Sequence, residues 1–138
     1  MLKKIPTILS PDAVKLMMEM GHGDTLLIAD ANYPAHTNND VVVRADGHTI
    51  TDLLAAVMEL FPLDAVVDQP ASVMATGTDE RPAAWEEYRK IIKDSGTDTT
   101  FREIERFEFY TVAQQAAGII QSGDTTLFGN ILLQKGTL

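Results

Sequence analysis

The sequence predicts an α/β domain of three layers, αβα, with a largely parallel sheet covered by helices on both faces. Two observations carry this. Short apolar runs alternate along the chain with segments whose apolar residues recur at helical spacing. Pro and Gly are scattered as punctuation, with no internal repeat and no linker-like stretch, so residues 1–138 read as a single domain.

Each element follows from local chemistry. Ser10-Pro11-Asp12 opens a helix: Ser10 can cap, Pro11 suits the first helical position, and Asp12 faces the positive end of the dipole. Gly21 is the expected stop. Thr25 to Ala29 is an apolar run suited to a buried strand. Asp30 to Asn39 is polar, contains Pro34 and reads as a loop, and Val41-Val42-Val43 is the next strand. Thr49 to Leu60 is the clearest helix, with Ile50, Leu53, Leu54 and Val57 on one face, a Thr49/Asp52 capping box, and Pro62 beyond its end. Ala65-Val66-Val67 and Ser72-Val73-Met74 read as strands on either side of Pro70. Ala83 to Lys93 is a helix with Trp85, Tyr88 and Ile92 on a face assigned to packing. Phe101 to Ile104 then reads as a strand, Phe109 to Ala117 as a helix, and Gly118 to Gln121 and Asn130 to Gln134 as strands.

Composition narrows the function. A chain of 138 residues, 45% apolar and 22% charged, can bury a core and is not globally disordered. Eleven Lys and Arg against 20 Asp and Glu leave a net charge of −9, which argues against a nucleic-acid backbone or an anionic membrane surface as partner. With no cysteine, disulfides, a thiolate nucleophile and Cys-ligated metal sites are excluded. The start, Met1-Leu2-Lys3-Lys4-Ile5-Pro6, lacks the apolar core of a signal peptide, and no run is long enough to span a bilayer. The expected compartment is the cytoplasm.

Three histidines are available for proton transfer near neutral pH: His22, His36 and His48. His22 stands between Gly21 and Gly23, one strand before Asp30. It reads either as an exposed acid/base beside a hydroxyl-binding carboxylate or as a solvated turn residue. His36 and His48 read as loop histidines, and their spacings match no compact metal-ligand motif. Arg102 to Arg106 alternates charge, which fits a solvated strand face or an arginine placed to grip a hydroxyl. Phe128-Gly129-Asn130 is either turn punctuation or a close-approach segment with an amide to offer. Phosphate-loop, dinucleotide-binding and nucleophile-elbow patterns are absent.

Taken together, Gly21-His22-Gly23-Asp24, Asp30-Ala31-Asn32, Pro34-Ala35-His36, Arg44-Ala45-Asp46-Gly47, Arg106-Phe107 and Gly129-Asn130-Ile131-Leu132-Leu133 run through the whole chain. In these segments the sequence resembles the L-fucose mutarotase and D-ribose pyranase family. The fucose branch fits better, since the ribose branch typically has Gly-His-Thr-Asp and lacks Pro-Ala-His. Two departures stand out: Tyr33 where the fucose branch has Phe, and Phe128 where it usually has Tyr.

The resemblance implies a mutarotase that interconverts the cyclic forms of a free monosaccharide such as L-fucose, without cofactor or metal. His22 would be the catalytic acid/base, and Asp30, Arg106, Phe128, Gly129 and Asn130 would bind the sugar. It further implies a homo-oligomeric ring, often a decamer, with sites at subunit contacts. Two alternatives accompany this expectation: a ribose pyranase, and a non-catalytic sugar-binding protein on the same fold, the latter prompted by Phe128.

Overall fold

The computed structural model describes residues 1–138. Its elements run α1 (Pro11–Glu19), β1 (Thr25–Ala29), α2 (Ala35–Asn38), β2 (Val42–Ala45), α3 (Ile50–Met58), β3 (Ala71–Met74), α4 (Ala83–Asp94), β4 (Arg102–Ile104), α5 (Arg106–Gln114), β5 (Gly118–Ser122) and β6 (Ile131–Gln134). The six strands form one sheet in the order β2-β5-β1-β6-β3-β4. Every neighbouring pair is parallel except those made by β6, which runs antiparallel between β1 and β3. The predicted αβα class and largely parallel sheet are what the structure has.

Strand alternation divides the interior in two. Leu26 and Ile28 of β1 face the larger core, where they meet Leu16 and Met17 of α1, Leu53, Leu54 and Val57 of α3, and Tyr88 and Ile92 of α4. Leu27 and Ala29 face the smaller core with Ala35 of α2 and Phe109 and Ala113 of α5. Leu26, Leu27 and Ile28 are fully buried, so each gains about 2 kcal/mol from leaving water. A strand with no polar face has no place except the middle of a covered sheet. No helix is long and apolar enough to cross a membrane.

The caps work as the sequence suggests. Ser10 Oγ accepts from the Ala13 amide at 3.2 Å, and Thr49 Oγ1 from the Asp52 amide at 3.1 Å. Four local expectations are corrected. Ala65–Val67 is not a strand: Asp64 Oδ1 accepts from the Val66 amide at 3.0 Å, and this Asx turn bends the chain outward, leaving Val66 exposed. The segment read as loop contains the one-turn helix α2, tied to α5 by a hydrogen bond from Gln114 Nε2 to Asn38 Oδ1. Helix α5 starts three residues earlier than expected because Glu105 accepts from the Phe107 and Glu108 amides. Its end is met from outside by the Asn39 side chain, which donates to the carbonyls of Ala113 and Ala116. Helix α1 stops on Met20 in an extended conformation, so Gly21 is not its left-handed cap; the glycine that needs its freedom is Gly23, at φ +88°.

Beyond β6 the chain lies against the Pro62–Asp64 segment: Leu63 bridges Lys135, and the Gly136 amide donates to the Pro62 carbonyl at 2.8 Å. A Cβ on Gly136 would stand 2.6 Å from the Leu63 carbonyl oxygen and 2.8 Å from the Asp64 Cα. Both are backbone atoms and cannot swing away. Gly136→Ala is therefore expected to lower stability by about 1–3 kcal/mol in urea unfolding; an unchanged midpoint would show that this contact is not tight.

Candidate active site

Five of the six strands point the same way, so the segments leaving β1, β4 and β5 and the segment entering β6 share one end of the sheet. This is the carboxyl end, where parallel sheets usually hold ligands. Asp30 follows β1 and Asn130 precedes β6. Their side chains meet in a reciprocal pair: the Asp30 amide donates to Asn130 Oδ1 at 2.8 Å, and Asn130 Nδ2 donates to Asp30 Oδ2 at 2.9 Å. Asp30 is 7% and Asn130 3% exposed. The other carboxylate oxygen, Oδ1, accepts from the Asn32 amide at 2.9 Å. Burial pushes the Asp30 carboxyl above the ordinary carboxylate range, against the pull of the hydrogen bonds from Asn32, Asn130 and Tyr33 and with the charge of Asp124 adding to the rise.

The turn after β1 is fixed by β5. Gln121 Nε2 donates to the carbonyls of Asp30 (3.3 Å) and Tyr33 (2.8 Å), Ser122 Oγ donates to the Ala29 carbonyl (2.7 Å), and the Ala31 amide donates to the Asp124 carbonyl (2.7 Å). Neither Gln121 nor Ser122 was legible as a site residue, because polar residues ending an apolar strand carry no motif. Arg106, the first residue of α5, lies exposed at the same end; its Nε donates to Tyr110 Oη at 3.1 Å, and its guanidinium stacks over Phe107 and Tyr110. Tyr110 in turn sits edge-on to Tyr33, 5.5 Å between ring centroids. The Tyr33 hydroxyl is buried and has no hydrogen-bond partner.

Phe128 has φ +57°, an uncommon conformation for a side chain of this size. Trp85 Nε1 donates to its carbonyl at 2.9 Å, and Tyr88 Oη donates to the carbonyl of Gly129 at 3.0 Å. Asp30, Gly129 and Asn130 are thus brought together, with Phe128 and Arg106 at the same end of the sheet.

His22 is not among them. It lies before β1, at the opposite end of the sheet, and β1 alone extends roughly 13 Å at about 3.3 Å per residue. There Nε2 of its half-exposed ring meets Oδ2 of Asp64 at 3.1 Å. Asp64 is 3% exposed and also accepts from Gln134 Nε2 at 2.9 Å. The Val66 amide holds the Asp64 carboxyl below its ordinary range, with His22 and Gln134 adding to that pull against the opposing effect of burial. Asp64 had no sequence signal, since it stands beside apolar residues 42 positions from its partner. His36 is exposed on α2, and His48 sits in the turn after β2; neither side chain bonds to these groups.

Two stability measurements follow from this geometry. Tyr33→Phe removes a partnerless buried hydroxyl and is expected to raise stability by about 1 kcal/mol in urea unfolding. A loss would mean that the hydroxyl has a partner in solution. The two carboxyls act with opposite sign on acidification. The folded pKa of Asp64 is depressed, so its contribution is present above about pH 4 and lost as pH falls through the lowered value. The folded pKa of Asp30 is raised, so its ionisation costs stability at neutral pH and that cost is relieved as pH falls through the raised value. Acid titration of stability should therefore become shallower in Asp64→Asn and steeper in Asp30→Asn.

Comparison with known proteins agrees with this fold. The model of the RbsD / FucU transport protein family matches residues 3–138. The L-fucose mutarotase of Haemophilus influenzae (strain 86-028NP) is 42% identical, over 99% of this chain and 96% of its own. Among solved structures, the fucose mutarotase of Streptococcus pneumoniae in complex with L-fucose superposes with a TM-score of 0.93 at 41% identity, covering 99% of both chains. RbsD of Bacillus subtilis complexed with D-ribose is more distant, with a TM-score of 0.72 at 21% identity over 94% of this chain and 95% of that one, and shares the fold. This chain belongs to the RbsD / FucU transport protein family.

Proposed function

We propose that this chain is an isomerase that interconverts the α and β anomers of L-fucose or a closely similar sugar. The observation that carries the reading is the end-to-end similarity to a fucose mutarotase solved with L-fucose, at 41% identity. The chain's own groups suit the reaction. The buried Asp30–Asn130 pair offers a carboxylate and an amide to sugar hydroxyls, and the exposed Arg106 adds donors. At the other end, the ionised Asp64 accepts the Nε2 proton of His22 and leaves Nδ1 as the working nitrogen.

Mutarotation needs no more than proton transfer and holding. A base takes the proton of the anomeric hydroxyl while an acid protonates the ring oxygen; the bond from the anomeric carbon to the ring oxygen breaks, leaving an open aldehyde. The carbonyl turns over, the former ring hydroxyl attacks its other face, and the two protons return. His22 can give the proton to the ring oxygen and take it back, so its charge is restored at each turnover.

One sugar cannot touch both His22 and Asp30 of the same chain, because they lie at opposite ends of β1. We place the complete site between two copies, one giving the hydroxyl-binding groups and the other His22, in a homo-oligomeric ring such as a decamer located in the cytoplasm. Phe128 supports a second reading, sugar binding without catalysis, because it lacks a hydroxyl to join the proton transfer.

Exchange NMR of the anomeric protons of L-fucose tests the proposal. Enhanced exchange is expected, and no enhancement with L-fucose or related sugars would sink it; furanose signals in exchange with D-ribose would instead favour a pyranase. His22→Ala should keep sugar binding and lose exchange, whereas binding without exchange in the unaltered chain would favour the non-catalytic reading. His22→Ala and Asp30→Ala chains, each inactive alone, should regain about a quarter of the activity when mixed and reassembled, since only sites drawing one intact half from each variant work. No recovery, or a monomer by light scattering, would remove the shared site.

A further inference from the structure

The packing face of α4 makes contacts that packing alone does not explain. Trp85 and Tyr88 lie one turn apart on this helix, and both are buried, yet each spends its polar atom on a backbone carbonyl of consecutive residues in one loop: Trp85 Nε1 on Phe128 and Tyr88 Oη on Gly129. Between those carbonyls the backbone is in an unusual state. Phe128 has φ +57°, which a residue with a bulky side chain holds only where its surroundings impose it. Gly129 is buried, and a Cβ there would come within 3.3 Å of Tyr88 Oη and 3.1 Å of both Ile50 Cδ1 and the Thr126 carbonyl oxygen, so the loop is seated closely on the helices beneath it. The next residue is Asn130, whose side chain holds both the amide and the carboxylate of Asp30.

From this we propose that Trp85 and Tyr88 are positioning residues for the sugar: α4 clamps the 128–130 loop in its left-handed turn and, through Asn130, sets the orientation of the Asp30 carboxylate. The inference rests on the proposed reading that Asp30 and Asn130 hold sugar hydroxyls. The clamp has an outer brace. The Arg81 guanidinium lies over the Trp85 ring at 5.9 Å and pairs with Glu103 of β4 at 2.9 Å, which ties the loop entering α4 to the sheet edge. Neither aromatic residue touches His22 or Asp64, which sit at the other end of β6. Loosening the clamp therefore weakens sugar holding and leaves proton transfer intact.

Tyr88→Phe and Trp85→Phe keep aromatic bulk and remove one clamp hydrogen bond each. Each is expected to raise KM for the sugar about fivefold, the factor corresponding to one hydrogen bond, while kcat stays within about twofold. Ile92→Val is the control: the same helix and the same burial, but no polar side-chain atom to bond the loop. It should lower the melting temperature without moving KM. Amide hydrogen exchange reads the clamp without sugar. The Asp30 amide, bonded to Asn130 Oδ1, should lose protection in both clamp variants and keep it in Ile92→Val. Unchanged KM and unchanged Asp30 protection in a folded Tyr88→Phe or Trp85→Phe chain would overturn the proposal, as would an equal KM rise in Ile92→Val. If the unaltered chain neither binds nor exchanges sugar, the functional reading fails, and the Asp30 amide still reports whether the clamp exists.

Discussion

The arrangement depends on one strand running against the rest. β6 lies antiparallel between β1 and β3, buried along nearly its whole length, and this reversal puts its first flanking residue beside the carboxyl end of β1 and its last beside the amino end. Asn130 thereby reaches Asp30, and Gln134 reaches Asp64 and, through it, His22. A parallel strand in the same place would have brought neither pair together. The fully buried register of β1 on β6 admits no slip, because a shift of one residue would turn each buried side chain into the opposite core. The two groups of polar residues are therefore held at a fixed separation by the buried centre of the sheet.

The two buried carboxyls show how environment makes different tools from one side-chain type. Asp64 has an amide, a histidine and a glutamine directed at it, and these donors outweigh burial and hold it ionised. Asp30 is fed by an amide and an asparagine side chain, but burial and the nearby Asp124 prevail and its proton is held more firmly. An ionised carboxylate fixes the orientation of an imidazole at one end, and at the other a carboxylate braced by an amide and an asparagine has acceptor oxygens for hydroxyls. On the proposed reading the division of labour follows from the placement of the two pairs at opposite ends of β1, which a second copy would bring together.

Legibility followed distance along the chain. Ser10, Thr49 and the prolines act within three or four residues, and the helices they predict begin where they indicate. The run Thr25–Ala29, apolar after its first residue, suits a buried strand, and it lies at the centre of the sheet. Asp30 and Asn130 could be named as candidates from turn chemistry and family resemblance, but their mutual bonding, 100 residues apart, could not. Trp85 and Tyr88 look like core aromatics in sequence and are buried; their polar atoms become informative only when the loop that receives them is in place. The Ala65–Val67 run shows the reverse, an apolar segment denied a strand because Asp64 turns it outward and the edges of β6 are already taken by β1 and β3.

The sequence by itself determined the αβα class, most of the strands and helices in their order, with one strand too many at Ala65–Val67 and the short helix α2 missed, the absence of thiol chemistry, and the short list of groups able to move protons or hold hydroxyls. These are set by composition and by periodicities that act over a few residues. Only the tertiary structure decided that β6 runs backwards, that Asp64 is the partner of His22, that α4 supports the loop before Asn130, and that His22 and Asp30 occupy opposite ends of one strand. Each of these depends on which distant segments share a sheet edge or a core. That choice is made by burying whole faces together, and no local pattern in the chain encodes it.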